Sequence, residues 1–176
     1  MNILSKHTAC AALLIFGALL TGCRQQGALA KPWQMGEKVQ VGTFIYTVLE
    51  ADWKTELHGN LGSILPKNRF LVLRISVTNA GGEDRSLAFL QLKDEKGGEY
   101  TEFSELEGVS GWLGILRKLP PAANEQGIIV FDVPPSSYKL VATDNANPGE
   151  EKTTMIDIPL VMKPESGASD APITGR

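Results

Sequence analysis

The sequence predicts an all-β protein, an antiparallel β-sandwich of about seven or eight strands that follows a cleaved helical signal peptide. Between residues 36 and 162, apolar residues recur with a period of two, which is typical of half-buried strands. Glycine, asparagine, aspartate and proline separate these apolar runs and favour turns. The one stretch with helical spacing is interrupted by glycines, so packed helices are not expected.

Residues 1–22 are predicted to be a lipoprotein signal peptide outside the fold. Lys6 provides a positive n-region, and an almost uninterrupted apolar run extends from Thr8 to Leu20. A membrane-spanning helix needs about 20 apolar residues, so the run is short for a span and fits the h-region of a secretory signal. A plain N-terminal membrane anchor is the alternative.

The apolar run ends in Leu20-Thr21-Gly22-Cys23, which resembles a bacterial lipobox. The resemblance implies cleavage before Cys23 and lipidation of its sulfur. Each buried methylene contributes about 0.8 kcal/mol, so two or three acyl chains would hold the mature protein on a membrane. We therefore expect an exported protein, lipid-anchored to the bacterial cell membrane or the outer membrane, with residues 23–35 as a lipidated flexible tether.

Residues 36–162 are predicted to form one sandwich domain, and residues 163–176, rich in small residues and proline, a disordered tail. The clearest strand is 69–79, because its odd-numbered residues are apolar from Leu71 to Val77. Pro159 predicts an edge position for the last strand, since proline cannot donate to a ladder. The predicted strands are 38–41, 43–52, 69–79, 85–93, 99–103, 126–133, 138–143 and 154–162.

Residues 104–118 are predicted to be a long loop with at most a short helical turn. Its centre, 109–116, is apolar and would be costly to leave in water. Two interpretations stay open: these side chains plug the open end of the sandwich, as apolar residues usually do, or they contact a partner. The candidate contact patch consists of Trp112, Leu113, Ile115, Leu116 and Trp53.

Several motifs, in this order and spacing, resemble the telokin-like, immunoglobulin-like domains of bacterial secreted proteins and lipoproteins, the immunoprotective extracellular type. They are NRFLVLRISVTN at 68–79, FLQLKD at 89–94, Gly97 with Tyr100, GIIVFDVP at 127–134 and YKL at 138–140. The resemblance covers residues 36–160 and implies an immunoglobulin-like sandwich of unknown function, with no enzyme activity and no catalytic residues. Residues 119–126 depart from the family, which usually has a Pro-Gly turn there.

Composition excludes several classes of site. With 17 Lys+Arg against 20 Asp+Glu, the formal net charge is −3, which argues against nucleic acid as a partner. Two cysteines and two histidines are too few for a zinc finger or an iron–sulfur centre. We expect no cofactor and no metal.

The sequence offers little catalytic or metal-binding chemistry. Gly108-Val-Ser-Gly-Trp112 lacks the final glycine of a nucleophile elbow, and His58 is predicted to lie in a polar loop. The four glutamates at 99, 102, 105 and 107 are predicted to form a solvated face. Asp144 and its neighbours offer oxygen ligands, but without EF-hand spacing.

We therefore expect a non-catalytic lipoprotein that contacts the membrane through lipid on Cys23 and a protein or envelope partner through its domain. The alternative is a small-ligand or calcium-binding lipoprotein with its site in the strand-end loops.

Overall fold

The structure, a computed structural model, describes residues 32–147 and 149–162, and all regular structure in these two ranges is β. No helix in this part of the chain has the length and apolar character needed to cross a membrane. The predicted signal peptide, Cys23 and the tail 163–176 lie outside the described residues. The strands are β1 (Trp33–Gln34), β2 (Val39–Val41), β3 (Phe44–Lys54), β4 (Leu57–Gly59), β5 (Gly62–Ile64), β6 (Arg69–Asn79), β7 (Arg85–Ser86), β8 (Gln91–Lys93), β9 (Glu99–Thr101), β10 (Lys118–Leu119), β11 (Asn124–Val133), β12 (Tyr138–Thr143) and β13 (Thr153–Ile158).

Two main sheets form a β-sandwich, as predicted. One has the strand order β11-β6-β3-β2 and the other β1-β13-β12-β8-β9. Pairing between these strands is antiparallel except for β1 with β13. Two short pairs, β4 with β5 and β7 with β10, accompany the sheets. The apolar core lies between the sheets and includes the alternating buried side chains of β6 at Leu71, Leu73, Ile75 and Val77.

The crossing from one sheet to the other is fixed by a tyrosine. Residues 134–137 connect β11 to β12, and Tyr138 begins the new strand. Its hydroxyl donates to the carbonyl of Pro134 at 2.6 Å. This arrangement resembles the tyrosine corner that occurs in immunoglobulin-type sandwiches. The Tyr138 ring also lies 6.5 Å from that of Trp53, in the core.

The predicted strand 85–93 is divided into β7 and β8. Leu87 and Leu90 are both buried at a spacing of three, which a continuous strand cannot place on one face. Their backbone N–H groups donate outside the sheet, from Leu87 to the Arg117 carbonyl at 2.8 Å and from Leu90 to the Glu102 carboxylate at 2.6 Å. The prediction of one continuous strand was therefore wrong for the middle of this segment.

Both ends of the domain differ from the prediction. Trp33–Gln34 belongs to the fold instead of the tether, because it pairs with β13, and Met35 packs against the core. Because β1 lies outside β13, the predicted edge position of β13 was wrong. This strand ends at Ile158 rather than continuing to residue 162, since Pro159 has no N–H to donate.

The predicted loop around His58 is a hairpin. β4 and β5 pair around the turn of Asn60 and Leu61. Two half-buried side chains, Leu57 and Ile64, turn towards the outer face of β6 and β11 and give the hairpin its apolar contact.

Candidate functional site

The loop from β9 to β10 is a strap that covers the edge of β11. We use "strap" for residues 103–116. Phe103 N donates to the Val130 carbonyl at 2.7 Å, and Leu113 N donates to the Ile128 carbonyl at 3.2 Å. In return, Ile128 N donates to the Gly111 carbonyl at 2.7 Å. Because β11 is at the edge of its sheet, these bonds occupy backbone groups that would otherwise be open.

A second apolar cluster lies beneath the strap, on the outer face of β6 and β11. The buried residues of this cluster are Phe70, Leu106, Ile128 and Val130. The strap adds Phe103, Val109 and Trp112, and the hairpin adds Leu57 and Ile64. The Phe70 and Phe103 rings lie 5.3 Å apart. The strap and the hairpin therefore form an additional layer over one part of the four-stranded sheet.

Gly127 permits the close approach of the strap to β11. A Cβ at this position would lie 2.6 Å from the Gly111 carbonyl oxygen and 2.6 Å from Leu113 Cδ2, both too short for a carbon contact. Only a residue without a side chain fits between the strand and the strap.

A buried ion pair joins the two ends of the strap. Arg117 Nη1 and Nη2 donate to Glu102 Oε1 and Oε2 at 2.9 and 2.6 Å. The two side chains are 0% and 1% exposed. Arg117 Nε also donates to the Gly114 carbonyl at 2.8 Å. The prediction that Glu102 belongs to a solvated face was wrong, because Arg117 and Leu90 N satisfy its buried carboxylate.

The structure separates the five residues predicted as a contact patch. Trp53 is buried in the core beneath Tyr138 and is not at a surface. Trp112 packs into the second cluster, and Leu113 packs against the inter-sheet core. Ile115 and Leu116 are 53% and 95% exposed. The predicted loop therefore contains both interior side chains and exposed ones.

Arg117, the residue that follows the strap, lies against an aromatic ring. The guanidinium carbon of Arg117 lies 5.0 Å from the centre of the Phe89 ring, which is partly exposed. Ile115 and Leu116 immediately precede Arg117 in the chain. We call Ile115, Leu116 and Phe89 the strap surface.

The loop proposed for calcium uses its oxygens internally. Asp144 Oδ1 accepts from Lys152 N at 2.9 Å and from Ala146 N at 3.3 Å. The Thr143 hydroxyl donates to the Glu151 carboxylate. Among residues 32–147 and 149–162, no group of three or more His, Cys, Asp or Glu side chains could hold a metal ion.

A cavity of about 230 Å³ lies beside β12 and β13, and we compare it with the small-ligand site of the alternative prediction. Both lysines that line it are paired with neighbouring acids: Lys139 Nζ lies 3.0 Å from Asp157, and Lys93 Nζ lies 2.7 Å from Glu99. His58 is exposed on the hairpin, 4.0 Å from Glu56. Neither place combines a buried base with a nucleophile.

A family model described as "Domain of unknown function (DUF4352)" matches residues 33–153. No curated protein matches the sequence. Among solved structures, the yjhA protein of Bacillus subtilis is similar to this chain, with a TM-score of 0.56 and 17% identity over 72% of this chain and 98% of yjhA.

A second similar structure is the "putative lipoprotein (ycdA)" of Bacillus subtilis subsp. subtilis str. 168. Its TM-score is 0.54 at 14% identity over 72% of this chain. This chain spans 39% of the length of ycdA. At such identities, both likenesses concern the fold alone.

Proposed function

This chain belongs to the DUF4352 family, and on that premise we propose that it is an exported lipoprotein of the bacterial envelope. Lipid on Cys23 holds it at a membrane, and a non-catalytic, telokin-like immunoglobulin-like domain binds an envelope protein through the strap surface. The Leu20-Thr21-Gly22-Cys23 motif supports the anchor, and so does the description of the structurally similar ycdA as a "putative lipoprotein". The tyrosine corner at Tyr138 supports the domain type.

One observation carries the binding role: Leu116 is 95% exposed although both ends of its loop are firmly held. Arg117 is pinned by Glu102 and reaches back to the Gly114 carbonyl, so the intervening Ile115 and Leu116 are held outward. Exposed aliphatic side chains on an ordered loop present a preorganised apolar contact, which lowers the entropy cost of binding.

The non-catalytic role is supported by the placement of the reactive side chains. His58 lies on the exposed side of the hairpin, and Ser110 lies on the strap. The Glu102 carboxylate, the most buried acid named above, is occupied by Arg117 and Leu90 N. A general base would need a nucleophile or water within hydrogen-bond reach.

The anchor is tested by mass spectrometry of the full-length protein purified from membranes of a bacterial host. We expect a mature chain that begins at Cys23 and carries two or three acyl chains. The Cys23→Ser variant should lose this modification, whereas Cys10→Ser, the matched control, should not. An intact Met1 with an unmodified Cys23 thiol would contradict the proposal.

The contact is tested with a photo-crosslinking amino acid placed at position 116 of the anchored protein. Position 61 is the matched control, because Leu61 is fully exposed on the hairpin turn and outside the strap surface. We expect a discrete adduct from position 116 and none from position 61, and an Ile115→Ser variant should reduce the adduct. Identical adducts from both positions would show that the strap surface has no specific partner.

A further inference from the structure

Three separate segments meet at the end of the sandwich where the chain crosses from β11 to β12. We call this the crossover end. Asp132 accepts hydrogen bonds from Lys67 N at 2.6 Å and Asn68 N at 2.8 Å, which holds the segment before β6 beside the end of β11. Leu160 N donates to Ser137 Oγ at 3.2 Å, which brings the segment after β13 to the crossing residues.

The crossover end exposes aliphatic side chains from two of these segments. Leu65 is 71% exposed, and Leu160, Val161 and Met162 are 42%, 54% and 45% exposed. The exposed charges at this end are mixed. Lys54 ends β3, where it pairs with Phe70, and Lys67 donates its backbone N–H to Asp132. Glu95, in the turn after β8, lies beside Ser137 and Pro159. Aliphatic residues with neighbouring lysines are typical of surfaces that enter a lipid headgroup region.

The opposite end of the sandwich is more acidic. Carboxylates outnumber basic groups in the turns that follow β6 and β12 and at the start of β11. The exposed acids there are Glu83, Asp84, Glu125, Glu150 and Glu151, and the exposed basic residues are Arg85, Lys118 and Lys152. An anionic surface would repel this end and favour contact with the crossover end.

We propose that the crossover end rests on the lipid surface of the membrane to which the protein is anchored. The inference depends on the lipid anchor of the proposed function. Cys23 lies ten positions before Trp33, and ten residues span at most about 36 Å. The folded domain is therefore confined close to the bilayer, where the high effective concentration makes even a weak apolar contact sufficient.

A lipid surface suits this end better than a second protein does. The aliphatic side chains project from loops on either side of the crossing residues, and lipid tails can surround them without a shaped partner. The side chains of Lys54 and Lys67 are exposed and can meet anionic headgroups. Docking in this way fixes the orientation of the domain relative to the membrane.

The test uses the full-length acylated protein in vesicles of phosphatidylethanolamine and phosphatidylglycerol. An environment-sensitive fluorophore is attached at Leu65→Cys and, as a matched control, at Glu150→Cys on the opposite end. Lipids with a quencher on the acyl chain should reduce the emission of the first label at least about twofold and leave the second unchanged. Lys54→Gln combined with Lys67→Gln should weaken the quenching at Leu65→Cys.

The inference is overturned if lipid-borne quenchers leave the Leu65→Cys label unaffected or quench both labels equally. It is also overturned if this label is shielded from aqueous iodide but not reached by the lipid quencher, because a protein would then cover the end. Mass spectrometry of the same preparation separates the two proposals. An unmodified Cys23 refutes the anchor, whereas acylated Cys23 with an unquenched label refutes only the docking.

Discussion

Arg117 and Glu102 form a bidentate ion pair with N–O distances of 2.9 and 2.6 Å, and both side chains are excluded from solvent. Glu102 directly precedes the strap and Arg117 directly follows it, so their contact closes this long loop at its base. The Glu102 carboxylate also accepts from Leu90 N, so the pair connects the strap to the segment before β8. Each charge is buried only because the other neutralises it.

Removing one partner of this pair should be much more costly than removing both. We expect Arg117→Met to lower the free energy of unfolding by about 3–5 kcal/mol, because Glu102 is left as an uncompensated buried charge. The double variant with Glu102→Leu should recover most of the loss. Urea unfolding checks this, with the exposed pair of Arg74 and Glu50 as control. Breaking that pair should cost less than about 1 kcal/mol, and an equal loss at both pairs would disprove the role of burial.

Truncating a half-buried side chain of the strap should lower stability more than truncating an exposed one. Trp112→Ala should lower the free energy of unfolding by about 2–3 kcal/mol, somewhat less than a fully buried tryptophan, because the side chain is half-buried in the second cluster. Leu116→Ala should change stability by less than about 0.5 kcal/mol, since the side chain is exposed. Thermal and urea unfolding measure both, and a larger loss at Leu116 would contradict this assignment.

A methyl group at Gly127 should displace the strap. We expect Gly127→Ala to cost about 1–3 kcal/mol, because the Cβ would overlap the Gly111 carbonyl oxygen and Leu113. Amide hydrogen exchange should also rise at residues 111–113. Gly82→Ala is the matched control, because a Cβ there has nothing within 4 Å. Equal stability of the two variants would show that the strap does not depend on close approach at Gly127.

Stability should fall at alkaline pH because of two buried tyrosines. Burial raises the pKa of Tyr138 to about 12 and that of Tyr46 still further. An unfolded tyrosine loses its proton near pH 10, so the folded state binds more protons above that value. The stabilisation is therefore complete below about pH 10 and is lost as the pH rises through 12. Urea midpoints between pH 8 and 12 measure the effect, and Tyr138→Phe should reduce the slope. A slope unchanged in this variant would exclude Tyr138 as a source.

The sandwich could be predicted because its signal is local. In β6 the alternation of Leu71, Leu73, Ile75 and Val77 specifies both the strand and its buried face without knowledge of any partner. The sequence also contains a signal for the additional layer of strap and hairpin, which the prediction did not use. Phe70 in β6, together with Ile128 and Val130 in β11, is apolar at even-numbered positions, which indicates strands covered on both faces at this place.

The site could not be predicted to the same extent, because its contacts join residues far apart in the chain. Glu102 has the same local context as the exposed Glu105 and Glu107, so only the folded position of Arg117 distinguishes a buried acid from solvated ones. The hairpin around His58 was missed for a similar reason. Each of its strands has three residues, which are too few to show an alternating apolar pattern. The contacts of Leu57 and Ile64 with the second cluster stabilise these strands.

The hydrogen bonds between the strap and β11 affect whether copies of this protein can associate by strand pairing. The four outermost strands of the two main sheets are β1, β2, β9 and β11, and only β11 is longer than three residues. With residues 128 and 130 of β11 hydrogen-bonded to the strap, this edge is not free to pair with a strand of a neighbouring molecule. Strand addition by a second molecule at this edge would first require the strap to detach.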